Sequence, residues 1–287
     1  MAQVGHAVPL GSPPGAITRE NYRFLQEYVH RESGIVLEDD KHYLLQARLL
    51  PILKKEHLGG LDEICARLRA NHPGLSRLVV EAMTTNETLF FRDPAQYEAL
   101  KTAVLPGLMK ERQATRRLAF WSAAASSGQE AYSLAMMLIE MGLPAQGWTL
   151  QILGTDLSGQ VLDRAREGRY LQIEVNRGLP AAHLVKYFVR QGLEWQLKDQ
   201  VRSMVRFERF DLRQSPSVLG TFDVIFCRNV LIYFDVPTKK KILGSLRSVL
   251  RDDGCVLLGG AEAILDLDGH FNRHVVAQAA VYKKTGR

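Results

Sequence analysis

The sequence has few cysteines and no motif that would pair them. Its 287 residues include three, Cys65, Cys227 and Cys255, and no C-x-x-C spacing. This odd count argues against a disulfide framework and against a zinc knuckle. No apolar stretch reaches the roughly 18 residues that a membrane-spanning helix needs. Residues 1–16 also lack the basic and apolar regions of a signal peptide, so we expect a cytoplasmic protein.

Dense blocks of lysine and arginine are also absent, although the chain is basic. Its formal net charge of +6 favours an acidic partner, such as nucleic acid, an anionic membrane or an acidic protein surface. A tail that binds nucleic acid would show a run of like charges. An ordinary solvated surface would also explain the excess, so charge alone does not choose among these partners.

Residues 17–85 have the pattern of a small all-helical domain. Apolar residues recur at helical spacing, first after Thr18, a candidate N-cap, and no alternation typical of strands occurs. Pro51 should kink or break the second helix. Residues 1–16, rich in glycine, proline and small side chains, predict a disordered leader. The helices are predicted to begin near residues 17, 40, 61 and 75.

After a linker and connecting helix over residues 86–115, the pattern changes to strands alternating with helices. This alternation predicts a doubly wound α/β domain with a parallel sheet over residues 116–287. Gly254 is a candidate C-cap for the last long helix. The predicted strands are 118–122, 148–154, 204–210, 222–227 and 255–258, and residues 271–283 predict a closing pair of strands.

One stretch interrupts this alternation. Residues 168–203 contain neither a long helix nor a strong strand that would complete a βαβ unit. We interpret them as an inserted subdomain of short elements, with a helix at 180–189 and a hairpin around 192–199.

The loop after the first strand carries small residues from Ala123 to Gly128. Such a loop lets a ligand approach the backbone, and the helix that follows offers free N–H groups. The loop does not match G-x-G-x-x-G, so the dinucleotide fingerprint is not met. A tight turn without any ligand is the alternative explanation.

Acidic residues follow the next two strands. Asp156 ends the second strand, where a carboxylate can accept hydrogen bonds from both hydroxyls of a ribose. A helix N-cap is the alternative for Asp156. Asp211 follows the third strand and could reach an adenine ring, or it could be an ordinary loop residue.

The fourth strand ends in Cys227-Arg-Asn-Val-Leu-Ile-Tyr-Phe-Asp235. Arg228 and Asn229 would face the crevice at the carboxyl end of the sheet, and Tyr233 lies five residues beyond Arg228, unless it packs in the core. Arg92, in the linker, could orient a substrate carboxylate with two hydrogen bonds.

Four stretches together resemble the CheR family of chemoreceptor glutamate methyltransferases. They are TTNETLFFRD at 84–93, WSAAASSGQEAYS at 121–133, GTDLS at 154–158 and FCRNVLIYFD at 226–235. The likeness extends from about residue 17 to residue 283 and includes the helical first domain and the insertion. It implies a Rossmann-like methyltransferase domain with a small inserted subdomain, preceded by a small all-α domain.

The resemblance also implies a cofactor and a set of site residues. The cofactor would be S-adenosylmethionine, converted to S-adenosylhomocysteine, with no metal. Arg92 and Tyr233 would be catalytic and lie nearest the transferred methyl. The cofactor-binding residues would be Asn86, Thr88, Arg92, Glu130, Asp156, Asp211, Leu212, Arg228 and Asn229.

By the same resemblance, the substrates would be glutamate side chains on the cytoplasmic domains of chemoreceptors. The enzyme would then meet the membrane only through the receptor. Lys41, Arg48 and Lys55 are spaced by seven residues, so one continuous helix would carry them on one face. This face would suit docking to an acidic receptor bundle, or it could simply be solvated.

Three rival functions predict other features. A nucleic-acid methyltransferase should show a basic, aromatic groove or a separate RNA-binding module, and a dinucleotide oxidoreductase should show G-x-G-x-x-G. A non-catalytic receptor-binding scaffold would tolerate the loss of Glu130, Asp156 or Arg92, and all three are present.

Overall fold

The structure, a computed structural model, describes residues 17–72, 74–262 and 269–285. The chain divides between Thr84 and Thr85 into two compact units. The leader predicted for residues 1–16 lies outside the described residues. Among the described residues, no helix is both long and apolar enough to cross a bilayer.

The first unit consists of helices packed through their apolar stripes. Thr18 caps the first helix as predicted, because its side chain accepts a hydrogen bond from the Asn21 amide at 3.2 Å. Leu25, Leu49 and Val79 are fully buried members of the stripes. The prediction of an all-helical region is confirmed. The helices are α1 Arg19–Ser33, α2 His42–Lys55, α3 Leu61–Arg69 and α4 Leu75–Met83.

Helix α2 continues through Pro51, so the predicted break is wrong. The helix runs on to Lys55, and the Glu56 amide still donates to the Ile52 carbonyl at 2.8 Å. A proline ring inside a helix costs about 3 kcal/mol. Burial of neighbouring apolar residues on the same helix, Leu49 and Leu53 among them, offsets that cost.

The second unit is built on a seven-stranded sheet and a separate three-stranded sheet. In the large sheet the first five strands in spatial order are parallel and the last two are antiparallel additions. The strands are β1 Arg117–Ala123, β2 Thr149–Asp156, β3 Arg169–Leu171, β4 Phe188–Gln191, β5 Glu194–Leu197, β6 Val205–Arg209, β7 Phe222–Cys227, β8 Leu250–Leu258, β9 Phe271–Val276 and β10 Ala279–Lys284. The order is β6-β2-β1-β7-β8-β10-β9 in the large sheet and β3-β5-β4 in the small one.

Helices cover both faces of the large sheet. Leu118 and Phe120 of β1 enter one apolar core, while Ala119 and Trp121 enter the other. Alternate residues of a strand point to opposite faces, so burial on both sides explains the continuous apolar run. The helices are α5 Pro94–Ala99, α6 Leu105–Glu111, α7 Gln129–Glu140, α8 Gly159–Glu167, α9 Gln172–Val175, α10 Ala181–Tyr187, α11 Asp199–Arg202 and α12 Val236–Val249, with a π-helical turn at Leu100–Val104 between α5 and α6.

The insertion forms the small sheet, with its hairpin earlier than predicted. Helix α10 ends at Tyr187, and Phe188 already pairs with Leu197 across strands β4 and β5. The turn is therefore Gly192-Leu193, and the predicted helix end and hairpin start are both wrong. The apolar periodicity of residues 180–189 did not reveal where the pairing with β5 takes over.

Gly254 is not the C-cap of α12. That helix ends at Val249, and Gly254 lies inside β8. A Cβ atom at this position would lie 2.5 Å from the Asp223 carbonyl oxygen. The glycine is needed for the close approach of two neighbouring strands rather than for a helix terminus.

Candidate active site

Four parallel strands bring most of the predicted site residues to one edge of the sheet. Strands β6, β2, β1 and β7 are consecutive neighbours in it, and their carboxyl ends share that edge. Because the chain order reverses between β1 and β7, a crevice forms there, and ligands of doubly wound sheets bind in such crevices.

The loop between β1 and α7 is held in an unusual backbone conformation. Ala124 and Ser126 have φ values of 62° and 51°, and Gly128 has φ 93°. A Cβ at Gly128 would come within 3.0 Å of the Ala165 Cβ, so only glycine fits well. The Ser126 hydroxyl donates to the Asn86 carbonyl at 2.8 Å, which fixes the linker against this loop.

Asp156 is buried and orients two backbone segments. Its Oδ2 accepts from the Ser126 amide and its Oδ1 from the Ser158 amide, both at 2.9 Å. Helix α8 has Ser158 as its N-cap, so the alternative of an N-cap role for Asp156 is wrong. The carboxylate instead fastens the β1 loop to the end of β2.

Arg228 forms the charged centre of the crevice. Its Nη1 donates to Glu130 Oε2 at 2.9 Å, and its Nη2 donates to Asp93 Oδ2 at 2.7 Å and to the Arg92 carbonyl at 2.6 Å. The Ser122 hydroxyl donates to the other Glu130 oxygen at 2.7 Å. Burial alone would lower the pKa of Arg228, but Glu130 and Asp93 raise it above its ordinary value. Removing one partner from such a buried ion pair costs about 3–5 kcal/mol.

Glu262, which the sequence analysis missed, organises the loop after β7. Its Oε2 accepts from the amides of Asn229 at 2.7 Å and Gly259 at 2.8 Å. Its Oε1 accepts from the amides of Val230 at 2.9 Å and Ile232 at 3.3 Å. One buried carboxylate thus holds four backbone groups, and Asn229 has a φ of 57°. The signal available in the sequence was an acidic residue four positions after the last parallel strand.

Gly259 makes room for the Asn229 side chain. A Cβ at Gly259 would come within 2.6 Å of Asn229 Nδ2. Asn229 and Arg228 therefore sit side by side on a loop whose shape depends on β8 and on Glu262.

Asp211 and Leu212 follow β6 at the same edge. The Asp211 carboxylate binds the Arg213 guanidinium, with distances of 2.6–3.1 Å, and its Oδ1 accepts from the Arg213 amide at 2.9 Å. Leu212 is buried. Arg213 was also missed, because its neighbour Asp211 had been considered alone.

The other predicted residues lie on the segments that adjoin this centre in the sequence. Arg92 is half-buried and its Nη1 contacts the Glu87 carbonyl at 3.4 Å, a long distance for a hydrogen bond. Thr88 is half-buried in the same linker. Tyr233 is half-buried in a single 3₁₀ turn, Leu231–Tyr233. The catalytic roles of Arg92 and Tyr233 stay predictions.

Two family models match this chain almost end to end. The all-alpha domain of CheR methyltransferases matches residues 20–84. The S-adenosylmethionine-binding domain of CheR methyltransferases matches residues 86–280. The chain belongs to the CheR methyltransferase family. Its fold is the Rossmann-like methyltransferase fold with a small inserted subdomain, preceded by an all-α domain.

Relatives of this CheR protein align with about nine tenths of its length. Chemotaxis protein methyltransferase 1 of Pseudomonas aeruginosa is 39% identical, over 92% of this chain and 97% of the relative. Chemotaxis protein methyltransferase Cher2 of Pseudomonas putida is 39% identical, over 89% and 94%. Chemotaxis protein methyltransferase 1 of Vibrio cholerae is 36% identical, over 93% and 98%. The chain is a methyltransferase that uses S-adenosylmethionine and acts in chemotaxis.

The residues of the CheR site fit this cofactor. Within the described part of the chain, the buried atoms Arg228 Nε and Asn229 Oδ1 have no hydrogen-bond partner. Leaving such an atom unpaired costs about 1–3 kcal/mol. An unpaired buried donor and an unpaired buried acceptor on consecutive residues suit the carboxylate and ammonium groups of the amino-acid end of S-adenosylmethionine.

Proposed function

We propose that this enzyme esterifies glutamate side chains on the cytoplasmic domains of bacterial chemoreceptors. The observation that carries the proposal is the pair of orphaned polar atoms on Arg228 and Asn229, beside the buried Arg228–Glu130 ion pair. The chemotaxis names of its full-length relatives support the choice of substrate. A chemoreceptor substrate also makes the cytoplasm its place of action.

We assign the site residues from the resemblance of their motifs to the CheR family, together with the strands that they follow. Asp156 would hold the ribose hydroxyls, with Asp211 and Leu212 against the adenine. Glu130, Arg228 and Asn229 would hold the methionine end. Asn86 and Thr88 would close the pocket from the linker, which Ser126 ties to the β1 loop.

The chemistry asks little of the protein beyond positioning. S-adenosylmethionine supplies a methyl group that its sulfonium already activates. A glutamate carboxylate is ionised at neutral pH and is itself the nucleophile, so no general base is needed. The protein must align the carboxylate oxygen with the methyl carbon and exclude water. Correct positioning can lower the activation free energy by about 7–11 kcal/mol.

Arg92 would hold the substrate carboxylate, and Tyr233 would share that task as a neutral donor. Too tight an ion pair would lower the nucleophilicity of the carboxylate. We expect Arg92→Ala to reduce kcat about a hundredfold, with S-adenosylmethionine affinity within a few-fold of the parent. Normal turnover of receptor by this variant would contradict the assignment.

Receptor docking is proposed for the helical unit. Lys55 is exposed at the end of α2, whereas Lys41 lies within 3.9 Å of Glu38 and 3.5 Å of Asp40. Arg48 is held against the end of α4, because its Nη1 donates to the Met83 carbonyl at 2.6 Å. Reversing the charges of Lys41 and Lys55 should therefore raise the KM for receptor and leave cofactor binding intact.

Calorimetric titration of S-adenosylmethionine and S-adenosylhomocysteine tests the cofactor site. Micromolar binding should be weakened strongly by Asp156→Asn and left unchanged by Asp163→Asn, whose carboxylate is exposed on α8. Methyl transfer to receptor-containing membranes, with base-labile methyl esters as product, then tests the substrate. Cofactor binding without any transfer to receptor would contradict the proposed substrate. Failure to bind either ligand would favour a receptor-binding scaffold.

A further inference from the structure

A cavity of about 810 Å³ lies beside the candidate active site, within the second unit. Its apolar wall is formed by Phe91, Tyr97 and Met137, and helix α10 of the insertion borders it with Ala182 and His183. Its volume is within the range of about 300–1,000 Å³ that specific ligand pockets occupy. None of the cofactor contacts assigned under the proposed function requires this space, whereas Arg92, assigned there to the substrate carboxylate, lines it.

Arg92 links the cavity to the crevice. Arg92 is one of the residues that line the cavity, and its carbonyl accepts a hydrogen bond from Arg228 Nη2 at 2.6 Å. The same Arg228 binds Glu130 at the start of α7, and Met137 lies two turns further along that helix. The cavity therefore starts at the edge where methyl transfer is proposed and follows α7 away from it.

The backbone around the cavity is strained. Phe91 and Asp93 have φ values of 48° and 56°, and each such residue costs about 1–3 kcal/mol. Lys101 lies on the π-helical turn Leu100–Val104, a feature frequent at functional sites. Gly178, with φ 80°, also lines the cavity, and a Cβ there would overlap the Phe90 carbonyl oxygen. These strained backbone conformations persist because the surrounding packing stabilises them.

Three cations and three carboxylates line the cavity, and two of the cations have no ion-pair partner among the described residues. Glu140 accepts from Lys186 at 2.9 Å, so these two charges neutralise each other. Over the described ranges, Arg92 and Lys101 form no ion pair, and Glu98 is the one lining carboxylate without a cationic partner. Arg92 and Lys101 can therefore each pair with an anionic group on the occupant, although the formal charges of the lining balance.

A buried imidazole atom adds a polar anchor. Nδ1 of His183 has no hydrogen-bond partner among the residues that the structure describes. The ring packs against Phe91 with centroids 5.3 Å apart, and Nε2 lies 3.9 Å from Glu140. Burial lowers the pKa of His183, so the neutral ring can offer Nδ1 to an occupant as donor or acceptor.

We propose that this cavity receives the segment of the acceptor protein next to the methylated glutamate. An apolar side chain of that segment packs on Phe91, Tyr97 and Met137, and a second carboxylate lies near Lys101. The cavity then selects glutamates by their neighbours, while Arg92 holds the target carboxylate. This inference rests on the proposed function, since it needs a protein substrate.

Filling the cavity from its solvent side tests the inference. Ala182→Trp places a large side chain at an exposed position of α10 that lines the cavity. Val185→Trp is the matched control, because Val185 is 79% exposed on the same helix and does not line it. With receptor-containing membranes and labelled S-adenosylmethionine, Ala182→Trp should raise the KM for receptor about tenfold. Its kcat and its S-adenosylmethionine Kd should stay within twofold of the parent, as should all constants of Val185→Trp.

Charge reversal gives a second, independent test. Lys101→Glu should raise the KM for receptor about threefold at low salt, with a smaller effect at high salt. Lys110→Glu, exposed on α6, is its control. Parent-like receptor kinetics for both Ala182→Trp and Lys101→Glu would overturn the inference. If the parent enzyme itself binds cofactor but methylates no receptor, the proposed function fails instead, and the two failures are therefore distinguishable.

Discussion

Replacing Glu262 should lower both the stability and the cofactor affinity of the enzyme, although Glu262 is not itself a proposed ligand contact. Its carboxylate accepts hydrogen bonds from four backbone amides, those of Asn229, Val230, Ile232 and Gly259. A hydrogen bond to a charged group contributes about 1.5–3 kcal/mol. The four bonds share one carboxylate, and water can enter the gap and bind some of the freed amides, so we expect Glu262→Ala to lower the free energy of unfolding by about 3–5 kcal/mol, less than the sum of four separate bonds.

The glutamine variant separates charge from shape. In Glu262→Gln one oxygen becomes an amide nitrogen, which can no longer accept from the two backbone donors that face it. Glu262→Gln should therefore lose about half as much free energy of unfolding as Glu262→Ala, roughly 2 kcal/mol. Because the loop also carries Asn229, both variants should weaken S-adenosylmethionine binding even where they remain folded.

Urea unfolding followed by circular dichroism measures the stability, and calorimetry at a temperature where each variant is folded measures the affinity. Glu111→Ala, at an exposed position of α6, is the control and should match the parent in both. A Glu262→Ala protein with parent stability and parent cofactor affinity would refute the role of Glu262 in holding the loop.

Two further predictions concern a glycine pair and a surface ion pair. Gly259→Ala should displace the Asn229 side chain, which lies 2.6 Å from the new Cβ, and should weaken cofactor binding at least tenfold by calorimetry. Gly244→Ala, in open space within α12, should instead raise the free energy of unfolding by about 0.5–1 kcal/mol. Equal cofactor affinities for these two variants would contradict the steric argument. The Arg112 guanidinium lowers the pKa of Asp253 below its usual 3.8, so this pair stabilises the fold above about pH 4 and the contribution is lost as the pH falls through the lowered value. In urea unfolding, Asp253→Asn should thus lower the free energy of unfolding by up to about 1 kcal/mol at pH 7, since Asp253 is partly exposed. The loss should be smaller at pH 3, and a loss that grows on acidification would contradict the stabilising role of the ionised Asp253.

The elements with strong apolar periodicity could be predicted to within a few residues. Strand β7 matches its predicted bounds, and helix α4 begins at its predicted residue. In each case the signal is local, because the spacing of apolar residues reports which face is buried. The predicted edge of the sheet also followed from chain order, since the residues after parallel strands converge there.

The sequence-based predictions were wrong where a residue distant in the sequence decides the local structure. Pro51 remains in a helix because α2 is packed on both sides of it, and Phe188 is a strand residue because Leu197 pairs with it. Gly254 looked like a helix terminus, but the Asp223 carbonyl explains it. Periodicity contains no information about such partners.

The candidate site also has some features that could be predicted from the sequence and others that could not. The sequence by itself determined which candidate residues follow the parallel strands, Glu130, Asp156, Arg228 and Asn229 among them, and hence the edge of the sheet at which they lie. Only the tertiary structure decided how those groups are held: Arg228 between carboxylates from the linker and α7, and the Asn229 loop on Glu262. Hydrogen bonds and ion pairs depend on distances between atoms, and the fold alone brings residues separated by 33 to 135 positions within reach of each other.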